Sequence, residues 1–398
     1  MKNISFLAEL LERDNIAEHV TSISLKEDPN NIYLHTKNEL QTSRENVLYT
    51  NVPGYLRISF SQNGQRRLEK SVATFEGSFI DLKKYDNVDH LLKSKLSPKR
   101  VSRLKAYKRT LEKVFPIQYQ YYYGEIQDHT YEKLMDTLKW MINTRFNEKQ
   151  MQYMGLFEWK RFKEHGKELI RKKKASLIVI YNDDEPIHIS FNYIWKELVF
   201  GCVRSYNIDY SKFYLGYIDI MIQLQWCFEN SFEIYDLLRE NMEYKLRFAD
   251  QTYLYGCHVV FAEGGNLSNI RPIISWLSLS LKFDVYYPFM SVLRTIYHRI
   301  PFIPKRKKKR IQLMYQLEKL SKEQWAKTDK GKFSQIQIES VNQPHGKRAV
   351  YHFLYLSKEK LEHLKIYTYL DDEHTIILEC PNNLGKVTFK DSVEKHGK

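Results

Sequence analysis

One stretch of the sequence limits the possible folds more than any other, because it sets short apolar segments between helical ones in a fixed order. Residues 175–181 are a fully apolar segment, and a turn at 182–186 joins them to the next apolar segment. Strands joined by so short a turn are antiparallel. The predicted elements are helices at 130–146 and 156–173, strands at 175–181, 187–193 and 198–206, a helix at 214–230, and strands at 234–238 and 258–261. This order predicts an α/β fold with a mixed sheet flanked by helices, and it argues against a Rossmann fold.

The N-terminal third of the chain repeats this order more weakly. Asn63-Gly64 lies between alternating segments at 55–60 and 65–74, which is the strongest short signal for a β-hairpin. A separate strand is predicted at 79–82. Ser97-Pro98 is typical of an N-cap followed by the first helical residue, so a helix is predicted to begin there. The sequence therefore predicts two similar halves.

The predicted organisation has four regions. A degenerate half at 1–128 precedes a catalytic half at 129–265, a helical and basic connecting segment at 266–330 and a small α+β appendage at 331–398. Within the last two regions the predicted elements are helices at 287–300, 311–328 and 358–364, and apolar segments at 336–338, 350–356, 366–370 and 375–378.

Composition narrows the class of protein. Apolar residues make up 43% of the 398 residues, which is enough for folded cores. A mean hydropathy of −0.54 excludes a polytopic membrane protein. The four cysteines form no CxxC pair, so neither a metal site nor a disulfide framework is expected. Residues 1–15 contain three acidic residues and no small-residue cleavage site, so we expect no secretory signal and a cytoplasmic protein.

The net charge of +14 is concentrated in three basic runs, at 95–113, 160–174 and 305–310. Each run could be an ordinary solvated face. Together they favour an anionic partner: the phosphates of a cofactor, a nucleotide-linked sugar, tRNA or a membrane surface. A DNA- or RNA-binding protein is disfavoured because the runs are dispersed and no nucleic-acid-binding motif occurs.

Two segments could carry chemistry. The first, 205–216, leads from a strand into a long helix, where free backbone N–H groups can bind an anion. The second, 235–248, follows a strand end, where sites collect in α/β sheets. An ordinary strand–helix connection and a salt-bridged surface loop are the respective alternatives. Asp183 and Asp184 are interpreted as turn residues, and His188 as a core or pocket residue.

The order of several segments in this sequence resembles that found in a known protein family. Tyr210-Ser211, the helix at 214–230, the segment Ile-Tyr-Asp-Leu at 234–237, the segment Glu-Tyr-Lys-Leu-Arg-Phe at 243–248 and the basic helix from Ser97 follow one another in the sequence. Residues 70–262 thereby resemble GNAT acetyltransferases of the CelD-like type, which are related to the FemABX peptidyltransferases with tandem GNAT-like domains. The resemblance implies two tandem GNAT-like domains, acetyl-CoA or another acyl-CoA as donor, and no metal.

The mechanism expected on this basis is direct attack of an acceptor amine or hydroxyl on a thioester. Asp236, or else Glu240, would be the base. The candidate catalytic residues are Tyr210, Asp236, Tyr244 and Lys245; the candidate donor-binding residues are Ser211, Lys212, Tyr214, Gly216 and Arg247; and the candidate acceptor-binding residues are Lys99, Arg100 and Arg103. The acceptor would be anionic, such as a nucleotide- or lipid-linked sugar of envelope polysaccharide biosynthesis.

Two departures leave other functions open. In place of the usual glycine-rich pyrophosphate loop, only Gly216 is present, so a FemABX-like transferase using aminoacyl-tRNA is one alternative and a non-catalytic binding module is another. After Asp236 the sequence continues Leu-Leu-Arg-Glu, where relatives tend to have glycine.

The segment around the third basic run allows two interpretations. The predicted helix at 287–300 has an apolar face, and Pro301 and Pro304 separate it from Lys305–Arg310. It is either a core helix followed by a solvated linker or a peripheral attachment to an anionic inner leaflet.

Overall fold

A computed structural model describes residues 1–13, 20–28, 31–34, 46–62, 65–151, 155, 159–239, 243–262, 270–299 and 315–390. The strands in these ranges are β1 (Lys2–Ser5), β2 (Val20–Leu25), β3 (Asn31–Leu34), β4 (Val47–Pro53), β5 (Leu56–Gln62), β6 (Gln65–Asp81), β7 (Ile117–Tyr122), β8 (Ala175–Asn182), β9 (Glu185–Trp195), β10 (Leu198–Tyr206), β11 (Ile234–Arg239), β12 (Gln251–Ala262), β13 (Tyr315–Lys319), β14 (Phe333–Ile336), β15 (Lys365–Tyr369), β16 (Thr375–Glu379) and β17 (Leu384–Phe389). The helices are α1 (Phe6–Leu11), α2 (Val88–Lys95), α3 (Pro98–Val114), α4 (Asp128–Glu148), α5 (Trp159–Arg171), α6 (Leu215–Glu229), α7 (Glu243–Leu246), α8 (Ile270–Ser280), α9 (Tyr287–Arg299), α10 (Lys322–Ala326) and α11 (Gly346–Ser357).

One sheet of 12 strands runs through both predicted halves. Its main path is β1-β4-β12-β6-β11-β10-β9-β8-β7, and β2, β3 and β5 pair beside it. The pairs β1–β4 and β10–β11 are parallel, whereas the other pairs on the path are antiparallel. The predicted α/β class with a mixed sheet and flanking helices is therefore confirmed.

Side chains alternate between the two faces of this sheet, as strand geometry requires. On one face, Val199, Tyr235 and their neighbours pack against α2, α3 and α6. On the other face, Phe200, Ile234 and their neighbours pack against α1, α4 and α5. We call these the α6 face and the α4 face.

The C-terminal appendage is a five-stranded antiparallel sheet, β13-β17-β16-β15-β14, with α11 packed on it. The predicted α+β character of this region is confirmed. α11 also packs on the 3-10 turn at 208–213, where the hydroxyls of Tyr351 and Tyr210 lie 3.4 Å apart. Arg348 of α11 donates to Glu148 of α4 at 2.6 Å. The appendage is thus fixed next to the start of α6.

Several predicted elements differ from the observed ones. The separate strand predicted at 79–82 is the end of the 17-residue strand β6. The helix predicted at 311–328 contains β13 and only the short helix α10, while residues 311–314 lie outside the described residues. Residues 350–356 belong to α11, and the helix predicted at 358–364 is a single 3-10 turn. Short apolar runs fit either a buried strand or a buried helix, which explains these errors. The Asn63-Gly64 turn lies outside the described residues.

Candidate active site

Two parallel strands separate next to the candidate carboxylate. β10 and β11 pair only through Leu198–Ile234, Val199–Tyr235 and Phe200–Asp236, and each strand then continues without pairing to the other. β11 also pairs with β6 on its other side. Asp236 therefore lies at the mouth of the gap between β10 and β11.

Asp236 is fully buried on the α4 face and is held by hydroxyl groups. Tyr55 donates to Oδ2 at 2.7 Å, and Tyr253 lies 2.9 Å from Oδ1 and 2.8 Å from Oδ2. The backbone N–H of Leu238 donates to Oδ1 at 2.7 Å. The hydroxyl of Tyr255 lies 2.8 Å from that of Tyr253 and extends the hydrogen-bonded chain.

Burial raises the pKa of Asp236 to about 6, although the hydrogen bonds from Tyr55, the N–H of Leu238 and Tyr253 favour the charged form. Burial and the nearby carboxylate also raise the pKa of both Tyr55 and Tyr253, so both hydroxyls stay protonated. A carboxyl group with a pKa near the operating pH can accept and return a proton. Asp236 therefore has the protonation behaviour of a general base.

The backbone next to Asp236 is irregular. The register between β11 and β6 shifts after Asp236, and Leu238 has φ of 58°, a left-handed conformation that favours glycine. The residue in this conformation is a leucine and not a glycine. Lys245, which is buried, donates to the carbonyl of Leu237 at 2.9 Å. The positive charge of Lys245 also lowers the pKa of Asp236, although less than each of the hydrogen bonds to the carboxylate does. Lys245 thus holds the bulge that positions the carboxylate.

A cavity of about 860 Å³ lies on this side of the sheet, and the three tyrosines Tyr55, Tyr253 and Tyr255 line it. Gly77 makes their arrangement possible, because a Cβ there would lie 2.7 Å from the hydroxyl of Tyr253. The charged residues that line the cavity have both signs: Lys26, Glu27, Asp28, Arg57, Glu69, Asp81 and Lys83. The tyrosine hydroxyls connect this cavity, which we call the tyrosine cavity, to Asp236.

A second buried carboxylate lies on the α6 face. Asp219 of α6 accepts hydrogen bonds from Ser190 at 2.7 Å, Gln223 at 3.0 Å and Arg204 at 3.1 Å. Arg204 also donates to the hydroxyl of Tyr235 at 2.8 Å, so its guanidinium bridges β10, α6 and β11. Burial lowers the pKa of His188, whose Nδ1 lies 3.8 Å from Asp219. Arg204 is the cation that is hydrogen-bonded to Asp219.

The start of α6 contains the predicted donor-binding residues Ser211, Lys212, Tyr214 and Gly216. Tyr214 is the exposed N-cap, has φ of 57° and makes no capping hydrogen bond through its side chain. A Cβ added at Gly216 would meet nothing within 4 Å. The side of the first turn of α6 that carries Gly216 therefore faces open space, with Lys212 half-exposed beside it. Such a helix start fits the phosphates of a donor.

The basic helix α3 lies against this same helix start. Tyr107 of α3 stacks on Tyr214 with ring centroids 4.0 Å apart. Arg103 is exposed and close enough to Tyr107 and Tyr355 to lower the pKa of each, against the larger effect of burial. Lys99 and Arg100 are exposed one turn earlier. The structure thus places Arg103, one of the predicted acceptor-binding residues, near the predicted donor-binding residue Tyr214.

The remaining candidates lie elsewhere. Tyr210 is fully buried on the α6 face, where Asn182 donates to its hydroxyl at 2.9 Å, and burial raises its pKa. It is not brought together with Asp236. Arg247 is half-exposed beyond α7. Glu240 and the side chain of Tyr244 lie outside the described residues.

Sequence reasoning missed Tyr55, Tyr253 and Tyr255. Tyr55 and Asp236 are 181 positions apart, and tyrosines are common in this chain. The only local signal was that Tyr253 and Tyr255 alternate within one strand, which places them on one face.

Part of the sequence matches a known protein-family model. Residues 98–246 match the family model described as an acetyltransferase (GNAT) domain, named Acetyltransf_6. The match begins inside the first predicted region and includes β10, α6 and β11 with Asp236. No curated protein matches the sequence.

Solved structures with similar arrangements include three that share little sequence with this chain. A conserved protein of unknown function from Bacteroides thetaiotaomicron is 10% identical, covering 55% of this chain and 70% of its own, with a TM-score of 0.38. The L-PGS of Bacillus licheniformis is 10% identical over 59% and 73%, with a TM-score of 0.34. A tandem GNAT protein from the clavulanic acid pathway is 9% identical over 56% and 65%, with a TM-score of 0.29. By the match to the family model, residues 98–246 are similar to the GNAT acetyltransferase domain, and they contain the candidate carboxylate Asp236.

Proposed function

We propose that this protein is an acyltransferase that moves an acyl group, in the first instance acetyl, from acyl-CoA to an amine or hydroxyl in the tyrosine cavity. The observation that carries the proposal is Asp236: a buried carboxylate with a pKa of about 6, bonded to cavity tyrosines at the gap between β10 and β11. The similarity of residues 98–246 to an acetyltransferase domain supports the reaction class.

The proposed reaction uses the tyrosines as a proton relay. The acceptor N–H or O–H gives its proton to a hydroxyl oxygen of Tyr55 or Tyr253 while that hydroxyl gives its own proton to Asp236. The acceptor nitrogen or oxygen forms a bond to the acyl carbon, and the carbon–sulfur bond breaks. The CoA thiolate leaves and takes up one proton from solvent, and Asp236 returns its proton to solvent through the same tyrosine hydroxyls. The relay is required because Asp236 has no exposed surface of its own.

The donor would lie with its phosphates at the start of α6 and its thioester in the gap between β10 and β11. Lys212 and Arg103 would balance the phosphate charge beside the free N–H groups of the first turn. Because Arg103 is next to Tyr107 and Tyr214, we assign it to the donor and not to the acceptor.

The acceptor would bind on the other face. Lys26, Arg57 and Lys83 line the tyrosine cavity and would hold the negative group of an anionic acceptor such as a nucleotide- or lipid-linked sugar. This proposal keeps envelope polysaccharide biosynthesis as the setting to be examined first.

The test begins with the donor. Acetyl-CoA and longer acyl-CoAs should raise the melting temperature, because a ligand at 100 times its dissociation constant stabilises the folded state by about 2.7 kcal/mol. Arg103→Glu should weaken this shift, whereas Lys139→Glu, an exposed charge reversal on α4, should leave it unchanged. Release of free thiol should then be measured with candidate acceptors.

A FemABX-like transferase remains the second candidate, because Lys99, Arg100 and Arg103 form an exposed basic surface that would also suit tRNA. Stabilisation by aminoacyl-tRNA with no response to any acyl-CoA would favour it. A protein that responds to neither donor would be a non-catalytic binding module, and the proposed acyl transfer would be refuted.

A further inference from the structure

A long exposed helix follows the main sheet. The 11-residue helix α8, a 6-residue π-helical segment at 281–286 and the 13-residue helix α9 follow one another without interruption. Pro288, near the start of α9, lacks the N–H that would bond to the carbonyl of residue 284, and the π-helical segment lies just before it. Fourteen large apolar residues between Ile270 and Tyr297 are exposed, which is unusual for a soluble surface.

One side of α8 is docked on the sheet. Trp276 and Leu279 pack against the small core of β4 and β12, and the ammonium group of Lys70 lies 4.0 Å from the centre of the Trp276 ring. The opposite side of α8 is apolar too. Ile270, Ile274, Leu277 and Leu281 follow one another at helical spacing, and Ile274 and Leu281 are 58% and 63% exposed. α8 therefore has one apolar side that packs on the sheet and a second apolar side that is exposed.

α9 continues this uncovered surface. Its apolar side chains, Phe289, Met290, Val292, Leu293, Ile296 and Tyr297, share one side of the helix and are all exposed. The other side carries Ser291, Arg294 and Thr295. The alternative that this segment is a core helix is therefore wrong. We call the outward apolar side of α8 and α9 the helix stripe.

The charges around the helix stripe have one dominant sign. Residues 270–299 contain four basic side chains, including Arg271, Lys282 and Arg294, and a single acidic one, Asp284. The next residues of the sequence include the six basic residues Lys305–Arg310, which lie outside the described residues. A second copy of this chain would bring equal positive charge to the same surface, whereas an anionic surface would balance it.

The geometry points to an anionic lipid bilayer as the occupant of the helix stripe. An amphipathic helix with exposed aromatic and aliphatic side chains and basic flanks lies in the plane of the membrane interface. No helix among the described residues is long and apolar enough to cross a membrane. The helix would therefore lie on the bilayer and hold the protein at its surface. This inference does not depend on the proposed chemistry.

Co-sedimentation of the full chain with vesicles tests the inference. Phosphatidylglycerol vesicles should pellet the protein at low salt, and pure phosphatidylcholine vesicles should not. Changing Ile274, Leu281, Phe289 and Leu293 to Ser should weaken binding about tenfold or more, because insertion scales with buried apolar area. The matched control changes Leu356 and Leu370, which are 60% and 63% exposed on the appendage, to Ser and should bind as wild type.

Charge is tested separately. Changing all six residues of Lys305–Arg310 to Ser, or raising the salt concentration, should weaken binding of the protein to phosphatidylglycerol vesicles. The inference is overturned if wild type stays in the supernatant with anionic vesicles at low salt, or if the helix-stripe variant pellets as well as wild type. Sedimentation velocity completes the test: a dimer that the helix-stripe variant abolishes, with no vesicle binding, would assign the surface to a second copy instead.

Discussion

Two carboxylates are fully buried on opposite faces of the same sheet, and their surroundings differ. Asp219 is bonded to the cation Arg204 and to two neutral donors, and His188, Arg204, Gln223 and Ser190 together outweigh burial and lower its pKa. Asp236 is bonded to two tyrosines and one backbone N–H, and burial raises its pKa to about 6.

The difference shows what a direct cation partner does to a buried carboxyl group. With Arg204 bonded to it, Asp219 stays charged and ties β9, β10 and α6 together. With only hydroxyl and N–H partners, Asp236 can gain and lose a proton near neutral pH. The first arrangement is suited to holding strands in place, and the second to moving protons.

The largest expected effect comes from breaking the ion pair. Asp219→Asn removes the buried carboxylate that pairs with Arg204, whose side chain is only 13% exposed, and this should lower the free energy of unfolding by about 3–5 kcal/mol. Urea denaturation at pH 7 measures this loss. Asp184→Asn, an exposed turn residue, is the control and should change stability by less than about 0.5 kcal/mol. Equal stability of the two variants would mean that Asp219 does not carry the structural role.

The pH dependence of stability should have opposite signs for the two carboxylates. The pKa of Asp236 rises from 3.8 to about 6 on folding, so its contribution is present below pH 4 and is lost as pH rises through 6. Relative to Asp236→Asn, wild type should therefore lose about 3 kcal/mol between pH 4 and pH 7. The contribution of Asp219 is instead present above pH 4 and is lost as pH falls below its lowered pKa. Urea titrations at several pH values measure both slopes. Parallel slopes would contradict the comparison.

Catalysis should depend on Asp236 and not on Asp219, which is paired with Arg204. Asp236→Asn keeps the shape of the side chain but removes the proton acceptor, so the turnover rate should fall about 100-fold or more. The folded state should persist, because the amide can still hydrogen-bond to the hydroxyls of Tyr55 and Tyr253. Circular dichroism and thiol release on one preparation measure both properties. A variant that is folded and fully active would remove Asp236 from the mechanism.

The smallest expected effect comes from Tyr253. Tyr253→Phe removes a hydrogen bond that favours the charged form of Asp236, so the pKa of Asp236 should rise above 6. The rising limb of the pH–rate profile should move to higher pH, and a shift of about one pH unit should lower the rate at pH 7 about twofold. Tyr122→Phe, which removes a 3.1 Å contact with the Tyr181 hydroxyl between β7 and β8, should leave the profile unchanged.

Sequence reasoning could locate Asp236 because its signal is local: a carboxylate within a short apolar strand. The order of helices and strands was predictable for the same reason, because the apolar residues of each element between 128 and 239 repeat at the spacing typical of a helix or a strand. The partners of Asp236 were not predictable from the sequence. Tyr55 lies in the turn before β5 and Tyr253 lies in β12, and only the folded sheet brings them next to Asp236. The bulge at Leu238 was also hidden, because leucine rarely adopts positive φ.

Lys245 shows a related limit. Because Lys245 lies on the segment that follows the strand of Asp236, the sequence predicted it to be a catalytic residue. The structure buries it on the carbonyl of Leu237. Lys245→Ala should therefore also lower the free energy of unfolding, by about 1–3 kcal/mol, because a buried carbonyl loses its donor.

The position of β12 affects how the protein is made on the ribosome. β12 lies between β4 and β6, so these early strands are not neighbours of each other and both wait for residues 251–262. At 5–20 residues per second, synthesis of β12 ends roughly 10–40 s after synthesis of β4. During that time the edges of β4 and β6 have unpaired backbone groups that can pair with other chains. Nascent chains that stop before β12 should therefore be the ones that aggregate or recruit chaperones, and synthesis of this one strand should end the hazard.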